Sequence, residues 1–219
     1  RKKGYYLEKG DILLPQDISK QLNIPVYFNP DSNSTQLDAK HGMEKNNPTP
    51  ALYLASSQKA AKGRFERHFF ASPQGGIYMS IHLKPNCHFE ELPPYTMMVA
   101  AAIVKAIQRL TGINTEIKWV NDIMIHDFKI AGILCEASLE MNTAQIEQMI
   151  VGIGINVHSY SMPDYLQNIA ACIEDFCSIK ASREQLLIDF FNIFYQDYLM
   201  LSTLSWLDFY RQHSYILHQ

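Results

Sequence analysis

The chain has 219 residues, of which 47% are hydrophobic and 19% charged, and a formal net charge of −3. That is the composition of an ordinary globular chain with one large or two small domains, and it excludes a disordered tail, a collagen-like repeat and a disulfide-stapled miniprotein. The four cysteines, Cys87, Cys135, Cys172 and Cys177, suggest reduced thiols and a cytoplasmic setting. There is no global basic field for nucleic acid and no apolar run of the ~18 residues that a membrane helix needs.

The chain opens Arg1-Lys2-Lys3-Gly4 without a methionine and closes with apolar residues still arriving at Tyr215-Ile216-Leu217, so we expect a piece of a longer protein. Residues 1–23 read as a separate segment, too short to bury a core alone, with a turn and short helix around Pro15-Gln16-Asp17-Ile18. The main domain then starts near Ile24. Val26-Tyr27-Phe28 reads as a short strand, Ser32 to Met43 as a helix with a polar start, and Ala51 to Ala55 as a strand. Gln58 to Pro73 has little apolar periodicity and many charges, which predicts a long loop. Gly76 to Lys84 alternates as a strand, with Ile77, Met79, Ile81 and Leu83 on one face. Pro93-Pro94 opens a helix to about Leu110, and Gly112 ends it. Three strands follow, Glu116 to Trp119, Asp122 to His126 and Lys129 to Leu139, and a fourth spans Gln145 to Val157. From Pro163 onward the pattern is helical, clearest over Arg183 to Met200. Strands in a run with helices between and at one end predict an α+β fold, a mixed central sheet flanked by helices.

Four segments could carry chemistry. In Gln58 to Arg67, Gly63 lets the backbone approach closely while Lys62 and Arg64 supply cations that can wrap an anion; a solvated basic loop would look the same. Lys118-Trp119-Val120-Asn121-Asp122 sets polar residues after a strand, as a turn or as a site. Lys129 starts an otherwise apolar strand, either as an exposed strand-end lysine or as a cation against an apolar wall. Alternating glycines in Val151-Gly152-Ile153-Gly154-Ile155-Asn156 mark close approach of a backbone or a ligand. The dinucleotide fingerprint, the P-loop, the nucleophile elbow and zinc spacings are all missing, and Cys135, in an apolar strand, reads as a packing residue.

Gln58 with Lys62-Gly63-Arg64, Gly75-Gly76-Ile77-Tyr78, Lys118 to Asp122, Lys129-Ile130-Ala131-Gly132-Ile133-Leu134 and Gly152 to Asn156 occur in an order that resembles the biotin protein ligase family. Ser34-Thr35-Gln36 looks like that family's Ser-Thr-Asn motif, and the similarity covers roughly residues 24–205. The chain departs from the family pattern at Gln36, at Val120 where proline is usual, and in the basic loop, where Ala61, Lys62 and Glu66 replace two glycines and an arginine. Those loop changes bear on closure and on retention of the intermediate.

The resemblance implies a biotin/lipoate ligase-like catalytic domain, related to class II aminoacyl-tRNA synthetases, over residues 24–205. It implies that residues 1–23 are a linker and the remnant of an N-terminal winged-helix domain and that 206–219 are an exit segment toward a C-terminal SH3-like domain. The implied activity uses ATP and Mg²⁺ to convert biotin into biotinyl-5′-AMP, then transfers biotin to a lysine of the biotin carboxyl carrier protein of acetyl-CoA carboxylase or a related carboxylase. Carried over by motif, Arg64, Lys129 and Asp122 are the catalytic candidates. Ser34, Thr35, Gln36, Gln58, Lys62, Gly63, Arg64, Lys129 and Gly132 are candidates for biotin, and Lys118, Asn121, Asp122 and Asn156 for ATP. No protein-held metal is expected beyond the Mg²⁺ that accompanies ATP. A homodimer is left open, and DNA binding would require the N-terminal domain. A lipoate ligase or octanoyltransferase on the same fold, and a biotin-sensing repressor core with weak catalysis, are the alternatives.

Overall fold

The computed structural model of the chain describes residues 11–73, 75–85, 94–139, 145–200 and 205–215. Seven strands form one mixed sheet: β1 (Val26–Phe28), β2 (Ala51–Ala55), β3 (Gly76–Leu83), β4 (Glu116–Lys118), β5 (Asp122–Ile125), β6 (Phe128–Leu139) and β7 (Ile146–Asn156). Their order is β1-β2-β3-β7-β6-β5-β4; β1 and β2 run parallel and every other neighbouring pair is antiparallel. The α+β expectation holds.

Two-residue alternation sorts the long central strands into two faces. Ile77, Met79 and Ile81 of β3, Ile133 of β6 and Val151, Ile153 and Ile155 of β7 join one large core. Helices α3 (Tyr95–Thr111) and α4 (Arg183–Leu199) complete it, with Met98 to Val104 and Phe190, Phe191 and Phe194 buried. The alanines at 100–102 let α3 lie close to its neighbours, and Gly112, at φ 75°, ends the helix with its N–H on the Gln108 carbonyl. Pro94 directly precedes α3, while Pro93 lies outside the described residues. The opposite face is covered in part by α2 (Thr35–Glu44), where Ala39 packs with Ala51, Tyr53 and Ile150. That helix starts after Ser34, which is still extended.

Segments set apart at both ends of the sequence also enter this core. Ile18 and Leu22 of α1 (Pro15–Leu22) and Trp206 and Tyr210 of α5 (Ser205–Gln212) belong to the same cluster, Ile18 and Trp206 with no exposed surface. Losing such a tryptophan costs about 3–5 kcal/mol, so the α5 contact is part of the fold's stability. After α5, the His213 carbonyl accepts from Ile117 N–H at 2.7 Å, which continues hydrogen bonding at the β4 edge.

Helix was expected from Pro163 onward; instead residues 163–181 form turns and a short 3₁₀ turn, Ile173–Asp175. Side chains there satisfy the backbone locally: Asp175 Oδ2 accepts from Cys172 N–H at 2.8 Å and Glu174 Oε1 from Ala181 N–H at 3.1 Å. Such bonds compete with the helical ladder. No helix among the described residues is long and apolar enough to cross a membrane.

Candidate active site

The α2-side face of the sheet is bare at its centre. Tyr78, Gly154, Gly132 and Asp122 stand in one register row across β3, β7, β6 and β5, and Tyr53, Ser80, Gly152 and Leu134 in the next across β2, β3, β7 and β6. The three glycines leave backbone where side chains would stand, and neighbouring side chains lie over it. An added Cβ would come 2.8 Å from Gln36 Oε1 at Gly152, 2.4 Å from the Phe69 ring at Gly154 and 3.0 Å from Lys129 Nζ at Gly132. Above this floor opens a cavity of about 290 Å³. Ligand cavities run from roughly 300 to 1,000 Å³, so it suits one small molecule, with anything larger reaching out through its mouth.

One end of the cavity is neutral and rich in hydrogen-bonding groups. It is built on the first residues of α2, Thr35 and Gln36, and on Ser34 just before them. Gln58 Oε1 accepts from Thr35 N–H at 2.7 Å and from its hydroxyl at 3.2 Å. The buried Ser80 hydroxyl lies 2.8 Å from Thr35 Oγ1 and 2.9 Å from Gln36 Oε1. Gln36 Nε2 donates to Glu136 Oε2 at 2.8 Å. An apolar middle follows, with Phe69 and Leu134 beside the glycines.

The other end is cationic. Lys62, Arg64, Arg67 and Lys129 line the cavity against a single carboxylate, Asp122, among the described residues. Lys129 has both backbone groups fixed, its N–H on the Ile169 carbonyl at 2.9 Å and its carbonyl accepting from Ala171 at 3.2 Å. Its ammonium crosses over Gly132 to Asp122 Oδ1 at 2.7 Å. Asn121 is clamped to β6, its carbonyl accepting from Ile133 N–H at 3.0 Å and its Nδ2 donating to the Ile133 carbonyl at 3.2 Å.

The basic segment folds as a loop over this end. Bridges pair Gln58 with Ala71 and Lys62 with His68, and a 3₁₀ turn at Arg64–Glu66 forms its tip. Lys62 pairs with Glu66. Arg64 Nη1 donates to Asn121 Oδ1 at 3.3 Å, joining the loop to the β4–β5 turn across the mouth. Phe65 (79% exposed) and Trp119 (60%) flank that bridge, apolar surface where a ligand or a partner can contact it.

Ser34, Thr35, Gln36, Gln58, Lys62, Gly63, Arg64, Asn121, Asp122, Lys129 and Gly132, named from sequence, all line this cavity. Lys118 and Asn156 do not. Lys118 lies over the Tyr215 ring at 6.0 Å, and the buried Asn156 donates to the Ala171 carbonyl at 3.3 Å and accepts from the Tyr160 hydroxyl at 3.4 Å. Sequence reasoning missed Phe69, Ser80 and Glu136. Ser80 carried a signal, a small polar residue on the non-core face of an alternating strand; the other two carried none. No cysteine among the described residues lines the cavity, and burial pushes the Cys135 thiol up to about 11.

The fold of this mixed sheet with its helices is also that of solved biotin protein ligases. The chain matches the biotin protein ligase from Aquifex aeolicus in complex with biotin and ATP with a TM-score of 0.73 at 22% identity, over 87% of this chain and 78% of that one. It matches the Leishmania major biotin protein ligase in complex with biotinyl-5-AMP with a TM-score of 0.69 at 20% identity, over 87% and 81%. The sequence is more specific: residues 28–156 match the biotin/lipoate A/B protein ligase family, and the chain belongs to it. It is 34% identical over 210 residues to the bifunctional ligase/repressor BirA of Bacillus spizizenii, covering 91% of this chain and 64% of that relative. The chain thus spans a little under two thirds of that relative's length.

Proposed function

We propose that this chain is the catalytic part of an ATP-dependent biotin–protein ligase. The observation that carries the reading is the two-ended cavity. Its neutral end supplies hydrogen-bonding partners for a polar head group that would be costly to bury unmatched. Its apolar middle suits an alkyl chain, and its cationic end receives a carboxylate together with a polyphosphate. Biotin has those three parts in that order. The net charge of the chain is negative, so the concentration of cations at this one mouth is local.

In the first step the biotin carboxylate attacks the α-phosphorus of MgATP. A carboxyl O–P bond forms, the bond to the bridging oxygen of pyrophosphate breaks, and biotinyl-5′-AMP and pyrophosphate result. Two anions must approach, and Lys129 is the catalytic residue placed to lie between them. Arg64 and Lys62 close over the anionic groups from the loop, and the Arg64–Asn121 bridge holds the mixed anhydride away from water. Mg²⁺ enters with ATP as substrate. Among the described residues no cluster of three ligating side chains could hold it alone, and Asp122 is the carboxylate at hand. Asn121 and Asp122 serve the nucleotide; Lys118 and Asn156 would touch it only where it extends beyond the cavity. In the second step the ε-amine of an acceptor lysine attacks the acyl carbon, an amide forms and AMP leaves. The acceptor is a biotin carboxyl carrier domain, which docks at the mouth beside Trp119 and Phe65. Lipoate chemistry would leave the neutral end unmatched, and a thiol-based acyl transferase finds no thiol among the described residues that line the cavity.

The test is acceptor labelling. Chain, MgATP, biotin and a carrier domain should give streptavidin-reactive carrier, and lipoate should leave the carrier unmodified. Lipoylation without biotinylation would overturn the reading.

A further inference from the structure

Behind the neutral end of the cavity lies an ion pair that the proposed reaction does not use. Lys40 Nζ, one turn along α2 from Gln36, is 3.1 Å from Glu136 Oε1 on β6. The other oxygen, Glu136 Oε2, accepts from Gln36 Nε2 at 2.8 Å. The two ends of a carboxamide have nearly the same shape, so its neighbours decide which end faces where. A carboxylate only accepts hydrogen bonds, so the Gln36 NH₂ must face Glu136. The Leu134 carbonyl, 3.5 Å from the same nitrogen, favours the same orientation. Gln36 Oε1 is thereby turned toward the Ser80 hydroxyl and over bare Gly152, on the cavity floor. Gln58 is fixed in the opposite sense: Thr35 N–H only donates, so the Gln58 oxygen faces it and its NH₂ is left for the cavity. The neutral end therefore offers an acceptor beside a donor, which matches a ligand edge with an N–H next to a C=O.

We propose that Glu136, held by Lys40, is a positioning residue that sets the polarity of Gln36 and so selects a ureido-type edge in the ligand. This rests on the reading of the cavity as a biotin site. It predicts that the identity of residue 136, at a position that touches no part of the ligand, governs affinity through the direction of one amide.

The experiment uses the full chain, biotin as the probe in titration calorimetry, and pyrophosphate release for the KM-against-kcat split. The exchange variant Lys40→Glu with Glu136→Lys keeps an ion pair at the same place but presents a donor to Gln36. It should turn the amide round and weaken biotin binding at least tenfold, raising KM for biotin while kcat at saturation changes less than twofold. Glu136→Gln, which permits both orientations, should weaken binding about threefold, and Glu136→Asp, which keeps the carboxylate, should recover most of that loss. A folded exchange variant that binds biotin as tightly as the unaltered chain overturns the proposal. If the exchange variant does not fold, unchanged affinity in Glu136→Gln overturns it instead. An unaltered chain that binds no biotin fails the functional reading itself, and this proposal with it.

Discussion

Replacing Lys129 with alanine removes the cation that the proposed reaction places between two anions. Its worth can be worked from the geometry. Nζ sits 2.7 Å from Asp122 Oδ1 with a third of each side chain exposed, so it acts in a partly screened setting. Two unit charges about 4 Å apart at an effective dielectric near 20 interact by roughly 4 kcal/mol, and partial exposure reduces this to about 2 kcal/mol. The loss also leaves the Asp122 carboxylate unopposed beside the incoming phosphates, which adds repulsion of the same order. A combined cost of about 3–4 kcal/mol corresponds to a fall of roughly 10²- to 10³-fold in the rate of adenylate formation. Most of it belongs to the transition state, so biotin affinity should fall by less than about tenfold. Single-turnover formation of biotinyl-5′-AMP, followed by quenching and chromatography, measures the first quantity and titration calorimetry the second. Adenylate formation within threefold of the unaltered rate would refute the role given to Lys129.

Four further outcomes follow from the same geometry. Gly152→Ala places a methyl group 2.8 Å from Gln36 Oε1 and should displace that amide, weakening biotin binding about tenfold in calorimetry at a cost of roughly 1–2 kcal/mol. Arg64→Ala opens the bridge to Asn121 and should release biotinyl-5′-AMP into solution, so that pyrophosphate release outruns labelling of the carrier by about tenfold or more. Cys135→Ala should leave labelling of the carrier within twofold of the unaltered chain, because a thiol pushed up to about 11 by burial is not a nucleophile near neutral pH. His82, buried on the sheet and 2.6 Å from Gln148 Oε1, has its pKa held below the ordinary 6.5 first by burial, with Lys84 adding to the effect and the Gln148 bond opposing it. The unfolded chain then binds the proton more readily than the folded one. Stability is full above pH 6.5 and should decline as the pH falls from there toward the folded value, a slope that urea titrations should find reduced in His82→Gln.

The sheet was legible because its strands obey a period of two over long runs. Gly76 to Leu83 and the even-numbered glycines of β7 show which face is core and which is bare. Helix α3 was legible from its alanine run and from Gly112. The stretch after Pro163 misled because apolar residues at helical spacing say nothing of the Asp175 and Glu174 carboxylates that take its backbone N–H groups. Helices α1 and α5 are eight residues each, too short to be stable alone. Their place is decided by Ile18 and Trp206 docking into a core built elsewhere in the chain. At the cavity, residue types that carry chemistry could be named wherever motif order supported them. Phe69 and the Lys40–Glu136 pair escaped because their position follows from register and side-chain direction, neither of which a linear sequence displays.

The most direct test of the central claim is pyrophosphate release by the unaltered chain with MgATP, run in parallel with biotin, lipoate and octanoate. The account predicts release that depends on biotin, little or none with the other two acids, and an increase when a carrier domain is supplied to take the acyl group. Release with lipoate or octanoate in place of biotin would contradict it.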